Sequence, residues 1–318
     1  MASEPKTLQE AIQYFTDADN CREYLMVRRW PNGVTCPTCG NKRVGFLAKQ
    51  QRWQCATKHP KRQFSIKLGT IFEDSPLGLD KWLPAVWFVT NCKNGVSSWE
   101  IHRAIGVTQK TAWFMLHRIR LAMQDSGAAK LFGEIEADET FIGGKVTNMH
   151  RKSKRTIQAK NDGNWGKTVV LGLLQRGGDV RAAVAVSRRK HTVQANIAKN
   201  VQDGSKLYTD DFVSYEDLPG DLTREFINHL DAYVNGQVHT NGLENFWSLL
   251  KRSLKRTYVS VDPAHLQAYV DEQVFRYNNR KEMDDAERFS TVLTQIVGKR
   301  ITYAELIGKE GETKEAVL

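Results

Sequence analysis

The segment HTNGLENFWSLLKR, residues 239–252, constrains this chain more than any other. At 3.6 residues per turn, Leu243, Phe246, Trp247, Leu250 and Leu254 gather on one helical face, and Asn241, Glu244, Ser248 and Lys251 on the other. Such a helix buries its apolar stripe, here against a sheet, and leaves its polar face to address a site. Two earlier aspartates bear on the same site: Asp138 in GEIEADETFIGGK and Asp210 in KLYTDDFVSY. Around Asp138 the residues alternate. Ile135, Ala137 and Phe141 take one strand face, while Glu136, Asp138 and Thr140 take the other. Asp210 is followed directly by Asp211, which points the opposite way, so the second aspartate is less sharply specified. Carboxylates on strand, strand and helix are donors that hard divalent ions accept, and a pair of such ions suits in-line displacement at phosphorus.

The charge balance agrees with a polyanionic partner. Among 318 residues, 46 Lys and Arg outnumber 36 Asp and Glu, a formal net charge of +10. The surplus is blocked: residues 41–67 hold eight basic and no acidic residues, and 145–160 hold six and none. Such blocks can neutralise phosphates around a metal-loaded centre. The first residues, MASEPKTLQEAIQ, lack the basic start and apolar run of a signal peptide, and no apolar run is long enough for a membrane span. Five cysteines are too few and odd in number for a disulfide framework, so a cytosolic protein is expected, with no membrane partner.

Three of those cysteines fall at metal spacing. Cys36 and Cys39, then Cys55 and His59, read C-x2-C-x15-C-x3-H, which suits one tetrahedral zinc held by four protein ligands. A closed coordination sphere makes that zinc structural, and a segment this short depends on it for folding. Residues 95–123 then read as helix, tight turn, helix. Ser97 or Ser98 can cap the first helix, Gly106 closes it, and Thr108 can cap the second. Thr108, Lys110, Thr111 and Arg118 are the candidate DNA contacts there, with Trp113, His117 and Arg120 also able to reach. Lys145, Arg151, Lys152, Lys154 and Arg155 are the candidates in the basic stretch further on.

Strand-like runs at 133–142, 168–174 and 180–186, the last two joined by Gly177-Gly178-Asp179, precede a helix near 191–202 and a strand at 205–210. A shorter strand near 223–228 and helices at 241–256 and 263–279 follow, a pattern that predicts a mixed α/β sheet. The expected divisions are an N-terminal helical segment to 33, a zinc module over 34–75, a helical segment over 76–128, a catalytic unit over 129–302 and a tail over 303–318.

Several long motifs carry a resemblance. CPTCG, QFSIKLGTIFEDS, VTQKTAWFMLHRIR, EADETFIGGK, YTDD, HTNGLENFWSLLKR and VFRYNNR together resemble insertion-sequence transposases with a zinc ribbon ahead of a DDE-type catalytic domain. The likeness runs from about Cys36 to Arg280. It implies a ribonuclease-H-like mixed sheet with flanking helices, preceded by the ribbon and a helix-turn-helix-like segment. It also implies Asp138 and Asp210 as the first and second metal carboxylates, Glu244 as the third, and Lys251 as the accompanying basic residue. Some relatives carry Asn in the third role, so Asn241 competes with Glu244; the family's second zinc pair is often C-x2-C, unlike Cys55-x3-His59. Two Mg²⁺ or Mn²⁺ ions, double-stranded DNA at element ends and target, terminal inverted repeats as binding sites, and a homo-oligomer in the DNA complex follow from the likeness. The competing expectations are a DNA-binding regulator with an idle nuclease site, and a metal-dependent nuclease without strand transfer.

Overall fold

The computed structural model describes residues 4–124, 129–144, 166–210, 213–218, 220–227 and 239–309. The chain divides into two compact units, one of residues 1–123 with 282–318 and one of residues 124–281.

The first unit opens with helices α1 (Leu8–Tyr14) and α2 (Ala18–Arg29). Thr7 caps α1 in a reciprocal box with Glu10, and Asp17 caps α2 by accepting the amides of Asp19 and Asn20. The ribbon follows as antiparallel strands β1 (Val44–Leu47), β2 (Arg52–Cys55) and β3 (Gln63–Phe64). Trp53 on β2 packs among Trp30, Phe46 and Phe64, which gives this small sheet an apolar side. Helices α3 (Leu79–Asn91), α4 (Ser98–Ile105) and α5 (Gln109–Met123) complete the N-terminal part. Ser97 closes a capping box with Glu100, and Gly106 ends α4 at φ +67°, a backbone region that glycine enters at little cost.

The segment after 281 packs into this first unit, whereas the sequence grouped it up to 302 with the catalytic part. On α9 (Asp285–Thr294), Phe289 is fully buried against Trp87, Phe15 and Tyr24, with ring centroids 4.9, 5.6 and 5.7 Å away. Arg28 donates to Ser290 Oγ at 3.0 Å, and Ile71 N–H donates to the Ile296 carbonyl. Sequence periodicity reports which face of a helix is apolar, not which core it joins, and α9 is apolar enough for either.

The second unit is built on five strands: β4 (Glu134–Ile142), β5 (Thr168–Gln175), β6 (Val180–Ala185), β7 (Lys206–Asp210) and β8 (Thr223–Ile227). Their order across the sheet is β6-β5-β4-β7-β8. The β4-β5-β6 meander is antiparallel, while β7 and β8 run parallel to β4. This is the ribonuclease-H-like mixed sheet that the resemblance implied, and it places β4 at the centre. One face carries α6 (Lys190–Asn200) over Ile135, Ala137, Leu171 and Leu207. The other carries α7 (Asn241–Arg256) and α8 (Leu266–Asn278), whose Leu243, Phe246, Trp247, Leu250 and Val270 bury against Val170, Leu174 and Val180. The stripe read from the sequence on residues 243–254 is the stripe that is buried. Burying such side chains stabilises by about 1.5–3 kcal/mol each relative to exposure.

Candidate active site and metal centre

Asp138 lies in the middle of the sheet on the α7 side, paired across β5 with Gly172. The alternation predicted for β4 holds: Ile135 and Ala137 sit in the α6-side core, and Glu136 and Asp138 meet α7. Asp210 ends the neighbouring parallel strand β7, in register that aligns Glu136 with Tyr208 two residues earlier on each strand. Asp138 and Asp210 therefore occupy equivalent positions on adjacent strands and the same sheet face.

The Asp138 carboxylate is held from two sides. Trp247 Nε1–H on α7 donates to Oδ2 at 2.9 Å, and the Glu139 amide donates to Oδ1 at 2.8 Å. Burial pushes this carboxyl up to about 6, the two donors pull it down, and the charges of Asp210 and Glu244 push it further up. Asp210 and Glu244 therefore each lie within electrostatic reach of Asp138. Lys251, two turns along α7 from Glu244, is drawn below the ordinary lysine range by burial, with Asp138's charge opposing the shift. Asn241 and Glu244 are both exposed near the start of α7. Asp210, Glu244 and Lys251 thus each interact with Asp138 by charge, and Asn241 is the first residue of α7. Asp211, whose neighbour position blurred the sequence reading, lies outside the described residues.

Trp247 reaches Asp138 because the sheet beneath it is bare. A Cβ on Gly172 would stand 2.5 Å from Trp247 Cζ2 and 3.0 Å from Leu243 Cδ2. The sequence placed Trp247 only among packing residues; a buried indole N–H usually finds an acceptor, and that was the available signal. Glu139 was also missed. It projects to the opposite face, accepts from Tyr215 Oη at 2.9 Å, and is pushed by burial up to about 7. An acid alternating with Ile135, Ala137 and Phe141 is out of place on an apolar face, which marks it in sequence.

In the first unit, Cys36, Cys39, Cys55 and His59 bring their ligand atoms within 4.8 Å of one another. Among the described residues this is the one such group so tightly gathered; the carboxylates are neighbours by charge. Cys36 Sγ is 3.4 Å from His59 Nε2, and Cys39 Sγ is 3.6 Å from Cys55 Sγ. His59 Nδ1 is 2.6 Å from the Pro60 carbonyl, which fixes Nδ1 as the protonated nitrogen and leaves Nε2 a lone pair for a metal. Three thiol sulfurs and one imidazole nitrogen fit structural zinc.

The candidate DNA contacts fare unevenly. Thr108 is exposed and caps α5 by accepting the Thr111 amide at 3.1 Å. Lys110 is exposed, with its ammonium 4.5 Å from the Tyr303 ring. Arg118 is a correction: it is 4% exposed, and its guanidinium donates to the carbonyls of Ile71 and Glu73 at 3.0 and 2.8 Å and to that of Ile301. His117 and Arg120 are buried as well. The second half of α5 is core because helices and loops distant in sequence surround it, which its mixed composition did not reveal. Lys145, Arg151, Lys152, Lys154 and Arg155 lie outside the described residues. Among those described, no helix is long and apolar enough to cross a membrane.

Known proteins agree with this architecture. Residues 130–278 match the ISXO2-like transposase domain, and residues 16–57 match the transposase zinc-ribbon domain. Over 255 residues the chain is 31% identical to a protein of the transposable element ISH50 of Halobacterium salinarum, covering 76% of this chain and 85% of that one. The chain belongs to the ISXO2-like insertion-sequence transposases. A transposase-like protein of Haemophilus influenzae is 31% identical over 101 residues, covering 31% of this transposase and 81% of the relative. The DDE-domain match spans β4 through α8 and so includes Asp138, Asp210 and Glu244, while the ribbon match includes the three cysteines but stops before His59. The DDE domain implies a divalent metal, and the buried Asp138 carboxylate, repelled by Asp210 and Glu244, fits one.

Proposed function

We propose that this family member is an active DNA transposase that binds the terminal inverted repeats of its element, cuts there and joins the freed ends to target DNA. The observation that carries this reading is Asp138. A carboxylate raised to about 6 by burial and by the charges of Asp210 and Glu244 is costly by itself and is relieved by a bound cation. Asp138, Asp210 and Glu244 would hold two Mg²⁺ or Mn²⁺ ions, which supply activation of an attacking oxygen and stabilisation of a leaving one. Glu244 is preferred to Asn241 as the third ligand because its charge acts on Asp138. Lys251, close enough to sense Asp138, would hold a phosphate oxygen of the DNA.

Two displacements at phosphorus share this site. In the first, a water oxygen forms a bond to the phosphorus at the element end, and the bond to the 3′-oxygen breaks to leave a 3′-hydroxyl. In the second, that hydroxyl loses its proton, bonds to a target phosphorus, and expels the target's own 3′-oxygen. The ribbon, Lys110, Lys145, Arg151, Lys152, Lys154 and Arg155 would neutralise DNA phosphates, and Thr108 and Thr111 would hydrogen-bond them. Joining two ends calls for a homo-oligomer, acting in the cytosol or nucleoid where the DNA is.

The test uses supercoiled DNA carrying the gene's own flanking sequence, with Mg²⁺ or Mn²⁺, beside Asp138→Ala. Metal-dependent nicks at defined ends and joined products are expected from the native protein, and retained DNA binding without chemistry from Asp138→Ala. Specific binding without cutting by the zinc-loaded native protein would instead identify a regulator, and cutting without joining a nuclease.

A further inference from the structure

Two residues before Asp138, on the same face of β4, Glu136 is 2% exposed yet belongs to no metal-binding set described above. Its Oε2 accepts the amide of Leu243, in the first turn of α7, at 2.9 Å. Its Oε1 lies 3.3 Å from Arg176 Nε and 3.5 Å from His239 Nδ1. Arg176 in turn donates from Nη2 to the His239 carbonyl at 2.8 Å and stacks on the Tyr208 ring at 3.8 Å. The start of α7 has no cap from its own N-cap residue, Thr240, so the carboxylate from the sheet stands in for one. The approach is close enough to require glycine: a Cβ on Gly242 would stand 2.7 Å from Glu136 Oε2 and 2.4 Å from Leu174 Cδ2.

We propose that Glu136, clamped by Arg176 and reaching the Leu243 amide, is a positioning residue that sets the height of α7 over β4 and hence the spacing of Glu244 from Asp138. This rests on the reading of Asp138 and Glu244 as metal ligands. The connection is short: Glu136 fixes the strand two residues from Asp138 and fixes the helix one residue from Glu244. A shift of the helix along the strand would open the carboxylate set without removing any member of it.

The experiment compares the full-length native protein with Glu136→Ala, Glu136→Gln and Gly242→Ala, by hydrogen–deuterium exchange, Mn²⁺ binding calorimetry and metal-dependent cleavage. Loss of a charged cap should accelerate exchange over 241–247 about tenfold, leave 266–278 protected, and weaken Mn²⁺ binding about tenfold. Cleavage at limiting Mn²⁺ should fall about tenfold in Glu136→Ala, and Glu136→Gln, which keeps an acceptor for the Leu243 amide, should recover part of the loss. Gly242→Ala tests the same contact from the helix side if Glu136→Ala does not fold. Unchanged exchange over 241–247 together with native Mn²⁺ affinity overturns the proposal, as does exchange rising equally over 266–278. A native protein that neither binds Mn²⁺ nor cuts overturns the functional reading instead, while exchange over 241–247 still reports on the cap.

Discussion

Asp138 and Glu139 point to opposite faces of one strand, and both are carboxyls raised by burial, to about 6 and about 7. Each has a folded value above its unfolded one, so folding favours the protonated form. The stability this contributes is present at low pH and is lost as pH rises through the folded values, at up to about 1.4 kcal/mol per pH unit for each group. The metal-free protein is therefore expected to melt at lower temperature at pH 7.5 than at pH 5.5. Added Mg²⁺ should raise the melting temperature at pH 7.5 and much less at 5.5, and Asp138→Asn should flatten both trends; scanning calorimetry across that window decides. Trp247→Phe is expected to remove the donor that favours ionised Asp138. It should move the acid limb of the cleavage profile to higher pH and lower the rate at neutral pH by about tenfold, the scale of a hydrogen bond to a charged group. An unshifted limb would leave Trp247 as packing alone.

At the scale of elements, α7 is docked by what the sheet lacks as much as by what it offers. Gly172→Ala would drive a methyl into Trp247, and overpacking of this kind costs about 1–3 kcal/mol. Chemical denaturation should register that loss, with cleavage declining in parallel as the indole leaves Asp138. The ribbon is the opposite case, held by ligands more than by core. Cys36→Ser should abolish a zinc content of about one per chain and weaken DNA binding, with β1 to β3 losing exchange protection. A metal-free protein with a protected ribbon would contradict this. These elements were legible in sequence because period two, period 3.6 and paired cysteines are local signals. Arg118 was misread for the same reason: a basic residue on an amphipathic helix looks solvent-facing until its partners Ile71, Glu73 and Ile301 are known.

For the molecule as a whole, the first unit is closed by the end of the chain. Phe289 fills a space lined by Phe15, Tyr24 and Trp87, and Arg28 reaches Ser290. Ending the chain after Lys281 should leave the second unit folded and the first destabilised by several kcal/mol, since removing one buried Phe alone costs about 3–5. Limited proteolysis should then release a resistant fragment near residues 124–281 and degrade the ribbon and α3 to α5. Survival of the N-terminal unit would show that α9 is dispensable.

The sequence by itself determined the succession of strands and helices in the second unit, the buried stripe of α7 and the three cysteines and His59 that gather in the ribbon, because each depends on residue type and short-range spacing. Only the tertiary structure decided which core α9 joins, that Arg118 is interior, and that Glu136 and Trp247 reach across from sheet to helix and from helix to sheet. Those outcomes depend on contacts between residues distant in sequence, such as Glu136 with Leu243, Trp247 with Asp138 and Arg118 with Ile71, and no local pattern carries the distance between them.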